Sequence, residues 1–251
     1  MIPGDFMKIL VIPDVHLRSG MFACAAEKLD AGLADKAICL MDLPDDWGRQ
    51  SYLNLYEDVY AAALSFCEKY PDTLWCKGNH DMSYIWKKME SGFSAMAIPI
   101  VINGMNKLER AAGENMQFVH KVDNVLFSHG GIMQDFVRDY VGDVDYHNVD
   151  KVVERINGFD CGALWNDYSP LWYRPNKKAF PLYKKNSLLQ VVGHTPVTRL
   201  EISKGVLICD TFSTYSNGDP VGPTDFVIVD TVDNTFETVP SGYVYPKSIR
   251  C

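Results

Sequence analysis

The chain has 251 residues, of which 47% are hydrophobic, enough to bury a sizeable core. Its formal charge of −8 argues against a broad nucleic-acid surface, which needs Lys and Arg in excess to displace counterions. No apolar run reaches the length of a membrane span, and no charged start leads into an apolar core, so a soluble, cytoplasmic protein is the expectation.

Residues 1–6 precede the first apolar run and read as a short disordered extension, leaving 7–251 as a single domain. Residues 8–13 (Lys-Ile-Leu-Val-Ile-Pro) predict a buried strand, followed by Asp14-Val15-His16. Helices are predicted over 21–32 and 52–70, the second with Leu53, Tyr56, Tyr60, Ala63, Leu64 and Cys67 at helical spacing. Between and after them lie the apolar runs 37–41 and 73–77. The first leads into Asp42-Leu43-Pro44-Asp45 and the second into Gly78-Asn79-His80-Asp81. This strand–helix alternation favours a parallel sheet core.

From Met82 to Met89 the pattern is helical; Gly and Pro then break it, and 103–115 is polar. The run 125–127 precedes Ser128-His129-Gly130-Gly131, and 188–192 precedes Gly193-His194-Thr195-Pro196. Residues 135–157 read as two helical pieces, and 158–187 as a long ordered loop rich in aromatics. The last third predicts short strands at 199–203, 205–210, 225–230 and 235–239, an antiparallel tail. Seven cysteines are scattered without any Cys-x-x-Cys pair, and are expected to be mostly reduced packing residues.

Five polar clusters thus each follow an apolar run, which gathers carboxylates, an amide and imidazoles at one edge of a sheet. Asp14 and His16, two apart, share a face of an extended strand end. Asp42 offers a carboxylate that can bridge two cations, and Asn79 a neutral carbonyl oxygen. Mixed nitrogen and oxygen donors suit Mn, Fe, Zn or a related divalent ion. A net negative chain can still take a phosphate substrate, because bound cations invert the local field. His120 and His147 are expected to be structural or solvent-facing.

The series Asp-x-His, Asp-x-x-Asp, Gly-Asn-His-Asp, His-Gly-Gly, Gly-His-Thr resembles the calcineurin-like metallophosphoesterase superfamily. Ser169-Pro170-Leu171-Trp172-Tyr173-Arg174-Pro175, between the last two motifs, makes the serine/threonine phosphoprotein phosphatase and diadenosine tetraphosphatase branch the nearest in kind, in its bacterial or phage form. The resemblance covers roughly residues 8–215. It implies an α/β four-layer sandwich in which two mixed β-sheets are flanked by helices. It also implies two divalent metal ions, Mn favoured: one held by Asp14, His16 and Asp42, the other by Asp42, Asn79, His129 and His194.

It further implies that His80 is the general acid, oriented by Asp45, and that Arg174 clamps phosphate oxygens. The chemistry agrees: hydroxide held between two cations attacks phosphorus in line, and the leaving alkoxide then needs a proton. Three positions depart from the pattern. Met41 replaces a glycine before the bridging Asp42, Asp46 replaces a phosphate-binding arginine, and Lys77 replaces an arginine before Gly78. Arg49 is the residue placed to compensate Asp46, so Arg174, Lys77 and Arg49 are the expected substrate contacts.

The expected reaction is hydrolysis of a phosphomonoester, with a phosphoprotein or small phosphorylated metabolite as partner. The alternative is a dinucleoside polyphosphate or cyclic nucleotide, motivated by Asp46 and by the aromatic group Trp165, Tyr168, Trp172 and Tyr173. A catalytically silent binding module is the minor alternative.

Overall fold

The computed structural model describes residues 7–142, 145–176, 180–215 and 219–245. The extension expected at 1–6 and Cys251 fall outside the described residues; Cys24, Cys39, Cys67, Cys76, Cys161 and Cys209 are free thiols.

Two sheets form the centre. One carries β1 (Lys8–Ile12), β2 (Lys36–Cys39), β3 (Leu74–Cys76), β4 (Met116–Gln117), β10 (Asp225–Asp230) and β11 (Thr235–Pro240), in the order β11-β10-β1-β2-β3-β4. The other carries β5 (Val119–Val122), β6 (Val125–Ser128), β7 (Leu189–Val192), β8 (Ile202–Ser203) and β9 (Val206–Ile208), in the order β5-β6-β7-β9-β8. Strands β1 to β4 run parallel, as the alternation predicts, and β6, β7 and β9 form a second parallel group. Both sheets are mixed, because β10 pairs antiparallel with β1, and β5 antiparallel with β6. The expected antiparallel tail is therefore divided. Its first two strands edge one sheet and its last two edge the other.

The continuous apolar runs are explained by burial on both faces. Ile9, Val11, Ile38, Leu40, Val125, Phe127, Val191 and Leu207 pack sheet against sheet. Leu10, Ile12, Cys39 and Trp75 face the other way, onto α1 (Gly20–Asp30), α2 (Leu53–Lys69) and α4 (Ile98–Ala112). Leu126, Val192 and Ile208 face α5 (Gln134–Phe136), α6 (Val149–Asn157) and α7 (Cys161–Leu164). Burying one such aliphatic side chain contributes about 1.5–3 kcal/mol. Helix, sheet, sheet, helix is the four-layer arrangement the resemblance implies.

Two helical expectations change. The helix read from Met82 begins earlier, as α3 (Asn79–Ile85), so Asn79 and His80 stand in its first turn. The stretch 98–112, read as broken by Pro and Gly, is α4. Pro99 sits in its first turn, where no backbone N–H is required, and so starts the helix instead of ending it.

Candidate metal and phosphate site

Four of the five sequence clusters leave the C-terminal ends of their strands to line one cavity of about 300 Å³. Asp14 and His16 follow β1; Asp42, Asp45 and Asp46 follow β2; His80 follows β3; His194 follows β7. His129, after β6, and Asn79, at the start of α3, lie behind this wall, fully buried.

The backbone beyond the strands is bent into position. His16, Met41, Asp42, Asp45 and His194 all have positive φ, at 42°, 57°, 45°, 66° and 62°. The extended reading of Asp14-x-His16 is therefore corrected: β1 has ended at Ile12, and a left-handed turn carries His16. Met41 holds, as a methionine, the left-handed conformation that favours glycine. Cross-loop bonds hold the turns. Val15, His16 and Leu17 donate N–H to the carbonyls of Met41, Asp42 and Leu43 at 3.0, 2.8 and 2.9 Å. The Asp81 carboxylate accepts the N–H groups of Asp42 and Leu43 at 2.8 and 3.1 Å.

Two glycines permit the close approach. A Cβ on Gly78 would lie 2.1 Å from Asp42 Oδ1, and one on Gly193 would lie 2.0 Å from Asp14 Oδ1. No side chain fits at either position.

One donor set centres on His129 Nε2. Asn79 Oδ1 is 2.9 Å from it, Asp42 Oδ2 3.1 Å and His194 Nδ1 3.2 Å. His129 Nδ1 donates to the Leu40 carbonyl at 2.8 Å, which turns Nε2 inward. Four lone-pair donors thus converge in a site closed to solvent. Their spacing matches the separation of about 3.0 Å expected between neighbouring ligands of an ion with bonds near 2.1 Å. Burial alone would lower the His129 pKa, but Asp42 and Asp14 raise it to about 9. The field that attracts a proton there would equally attract a cation. Despite its burial, Asp42 is held below the ordinary carboxylate range by His129 and His80. Burial, then His129 and Arg174, push His194 well below the ordinary range, so its imidazole is neutral.

The other donor set is wider. His16 Nε2 lies 4.0 Å from Asp14 Oδ2 and 3.9 Å from Asp42 Oδ2. Its Nδ1 is 2.9 Å from the Asp45 carbonyl, again leaving Nε2 for the cavity. Burial, then Asp210, raise the Asp14 carboxyl well above its usual range. The residues present fit divalent cations on chemistry: oxygen and imidazole nitrogen donors around a shared carboxylate.

His80 stands beside this second set, its Nδ1 3.0 Å from Asp45 Oδ2. Tyr56 and Tyr84 donate to Asp45 Oδ1 at 2.9 and 2.6 Å and fix the carboxylate. Burial lowers the His80 pKa, yet Asp42, the hydrogen bond to Asp45 and Glu90 together raise it to about 10.

The three expected substrate contacts separate. Arg174 lines the cavity and donates to the His194 carbonyl. Lys77 does not reach it: its ammonium pairs with Glu109 at 2.7 Å and lies over the Phe118 ring. Arg49 is outside the cavity wall, with Nε 3.5 Å from Asp46 Oδ2. None of the aromatic group at 165–173 lines the cavity: Tyr173 is buried, Tyr168 is exposed, and Trp165 and Trp172 stack edge to face, Trp172 meeting His194 in the same way.

Four residues that sequence reasoning missed join the site. Arg18 lines the cavity, and its Nη2 reaches Asp46 Oδ2 at 3.4 Å and Thr214 Oγ1 at 3.2 Å. Asp46 is thus neutralised by two guanidiniums. Trp47, 60% exposed, stands at the mouth. Asp210 follows β9 into the cavity, its carboxylate accepting from Ser213. Glu90 accepts from Asn79 Nδ2 at 2.7 Å. Asp210 carried the same signal as the five clusters, an apolar run ending in an acid.

No curated protein matches the chain. Among solved structures it resembles the cold-active protein-tyrosine phosphatase of a psychrophilic Shewanella species, with 17% identity, TM-score 0.53, and 93% of this chain and 80% of that one covered. A second structure of a cold-active protein tyrosine phosphatase gives 16%, 0.52, 93% and 78%. An archaeal phosphodiesterase covers 93% of this chain and 99% of its own at 14% identity, with a TM-score of 0.41. At these identities the likeness to the two phosphatase structures bears on the fold alone. The family description that matches, calcineurin-like phosphoesterase, spans residues 7–226. That span takes in every strand-end cluster, all of one sheet and β1 to β4 of the other, so the chain belongs to the calcineurin-like phosphoesterase family and is a metal-dependent hydrolase of phosphate esters.

Proposed function

We propose that the protein is a two-ion phosphomonoesterase of the phosphoprotein phosphatase type, acting on a phosphoprotein or a small phosphorylated metabolite. The reading takes 7–251 as one catalytic domain in the cytoplasm, with Mn as the favoured metal. The observation that carries it is the position of Asp42. One of its oxygens faces both donor sets, 3.1 Å from His129 Nε2 and 3.9 Å from His16 Nε2, while the other accepts the His80 N–H at 2.9 Å.

In this reading Asp14, His16 and Asp42 hold one ion, and Asp42, Asn79, His129 and His194 hold the other. Bound divalent ions would neutralise phosphate oxygens and make water a nucleophile near neutral pH. His80 then protonates the leaving oxygen. Asp45 occupies its Nδ1, which leaves Nε2 to carry that proton. Arg174 offers a fork of donors to the phosphate from the cavity wall. Arg18 supplies a second guanidinium from the loop after β1, and its pairing removes the repulsion that Asp46 would otherwise exert. The cation missing from position 46 is thereby replaced from position 18.

The test is turnover of p-nitrophenyl phosphate against bis-p-nitrophenyl phosphate by Mn²⁺-loaded protein. The monoester is expected to be hydrolysed at least about tenfold faster, a difference of roughly 1.4 kcal/mol. No turnover with any divalent ion contradicts the reading. A diester preference would instead support the second reading, a dinucleoside polyphosphate or cyclic nucleotide, for which Trp47 at the mouth provides a stacking face.

A further inference from the structure

Glu90 is a buried carboxylate that none of the motifs contains, and the two-ion chemistry gives it no part. It lies after α3, its side chain 8% exposed. Oε2 accepts from Asn79 Nδ2 at 2.7 Å. Oε1 has no hydrogen-bond partner among the described residues, and the nearest ring nitrogen, His80 Nδ1, is 3.6 Å away.

An asparagine amide has two ends of nearly equal size and opposite chemistry. The oxygen can hold a cation; the NH₂ end, donor only, cannot. Packing alone discriminates poorly between the two orientations. Glu90 decides the matter because its Oε2 accepts from the amide, so the end facing Glu90 is the NH₂. The oxygen is then turned toward His129 Nε2, into the donor set.

We propose that Glu90 is a positioning residue that selects the metal-binding orientation of the Asn79 amide, and so sets the affinity of the buried site. The inference rests on the two-ion reading above. Partners of this kind typically change metal affinity by about 10–100-fold when lost.

The experiment follows Mn²⁺ binding to metal-free protein by calorimetry and by the electron spin resonance of free Mn²⁺. Glu90→Leu keeps the bulk and removes the acceptor, and is expected to weaken one of two ion sites by about 10–100-fold and leave the other unchanged. Glu90→Gln, whose amide oxygen can still accept, is expected to lose only a few-fold. Where Glu90→Leu does not fold, Asn79→Asp decides with gentle changes only. An aspartate has an oxygen at both ends and needs no orienting partner. In that background only the charge of Glu90 is lost, so Glu90→Gln should cost less Mn²⁺ affinity than it does in the wild-type background, where the orienting acceptor is weakened as well. That smaller loss in the Asn79→Asp background is what the proposal requires.

Weakening of equal size in both backgrounds would show that Glu90 acts through its charge alone and would overturn the proposal. So would two-ion binding indifferent to residue 90. Fewer than two ions bound by the wild-type protein contradicts the underlying two-ion reading instead.

Discussion

The two donor sets share Asp42 but differ in construction. Around His129 three donors lie 2.9–3.2 Å from its Nε2, and they come from strand ends of both sheets, on buried residues. Around His16 the separations are 3.9–4.0 Å, and the imidazole side chain is 16% exposed on the cavity wall. The first set is built into the sandwich; the second is assembled from two neighbouring loops. Donors already at ligand spacing require little reorganisation when an ion binds, so the buried set should hold its ion more tightly. The open set should exchange its ion more readily, at the place where a phosphate would arrive. Rigidity serves retention in one half of the site, and access serves the substrate in the other.

The largest effect should come from removing what the two sets share. Asp42→Asn is expected to lower kcat with p-nitrophenyl phosphate by about a thousandfold or more, roughly 4 kcal/mol, since both ions lose a charged ligand. Steady-state rates at saturating Mn²⁺ measure it, and activity within tenfold of wild type would contradict the shared role.

His80→Asn tests the open side. Removing a general acid costs about 10²–10⁴ when the leaving group needs a proton, and much less when it does not. Alkyl phosphates should therefore lose far more than p-nitrophenyl phosphate. Equal losses on both would remove His80 from the leaving-group step.

A third prediction separates the fold from the site. His120, in β5, is half-buried with Nε2 3.2 Å from the Trp75 carbonyl, and loss of hydration there lowers its pKa to about 4. Unfolded, it titrates near 6.5, so between pH 6.5 and 4 the unfolded chain binds more protons. Its stabilising contribution is complete above about pH 6.5 and is lost as pH falls toward 4, amounting to about 3 kcal/mol. Urea unfolding of metal-free protein at pH 7.5 and 4.5 should show that loss, and His120→Gln should reduce it. An unchanged slope in the variant would assign the acid sensitivity to the donor sets.

The smallest effect is at Lys77, whose exposed partner Glu109 makes a surface pair worth about 0–1 kcal/mol. Lys77→Ala should leave KM within about twofold, whereas Arg174→Ala should raise it. A large KM change at Lys77 would place it in the substrate path after all.

Where sequence and structure agree, the reason is contiguity. A strand that ends in a ligand puts the ligand at a sheet edge whatever the loops do, which is why Asp14, Asp42, His129 and His194 were legible. What was illegible arrives singly. Glu90 and Arg18 carry no spacing signal and matter only through partners, Asn79 and Asp46, fixed by tertiary packing. Trp47 was hidden among polar turn residues, while the conspicuous aromatics at 165 and 172 are packed behind the site. Lys77 misled because its side chain, though next to Gly78 in sequence, turns to Glu109 on α4. Helix α4 was obscured because Pro99 breaks a helix in its interior but starts one at its first turn.

The account turns on two unequal sites, and Mn²⁺ titration of metal-free protein tests it most directly. It predicts two ions per chain in two affinity classes. His129→Ala should abolish the tight class, and His16→Ala the weak one. A single class, fewer than two ions, or a tight site that survives His129→Ala would contradict it.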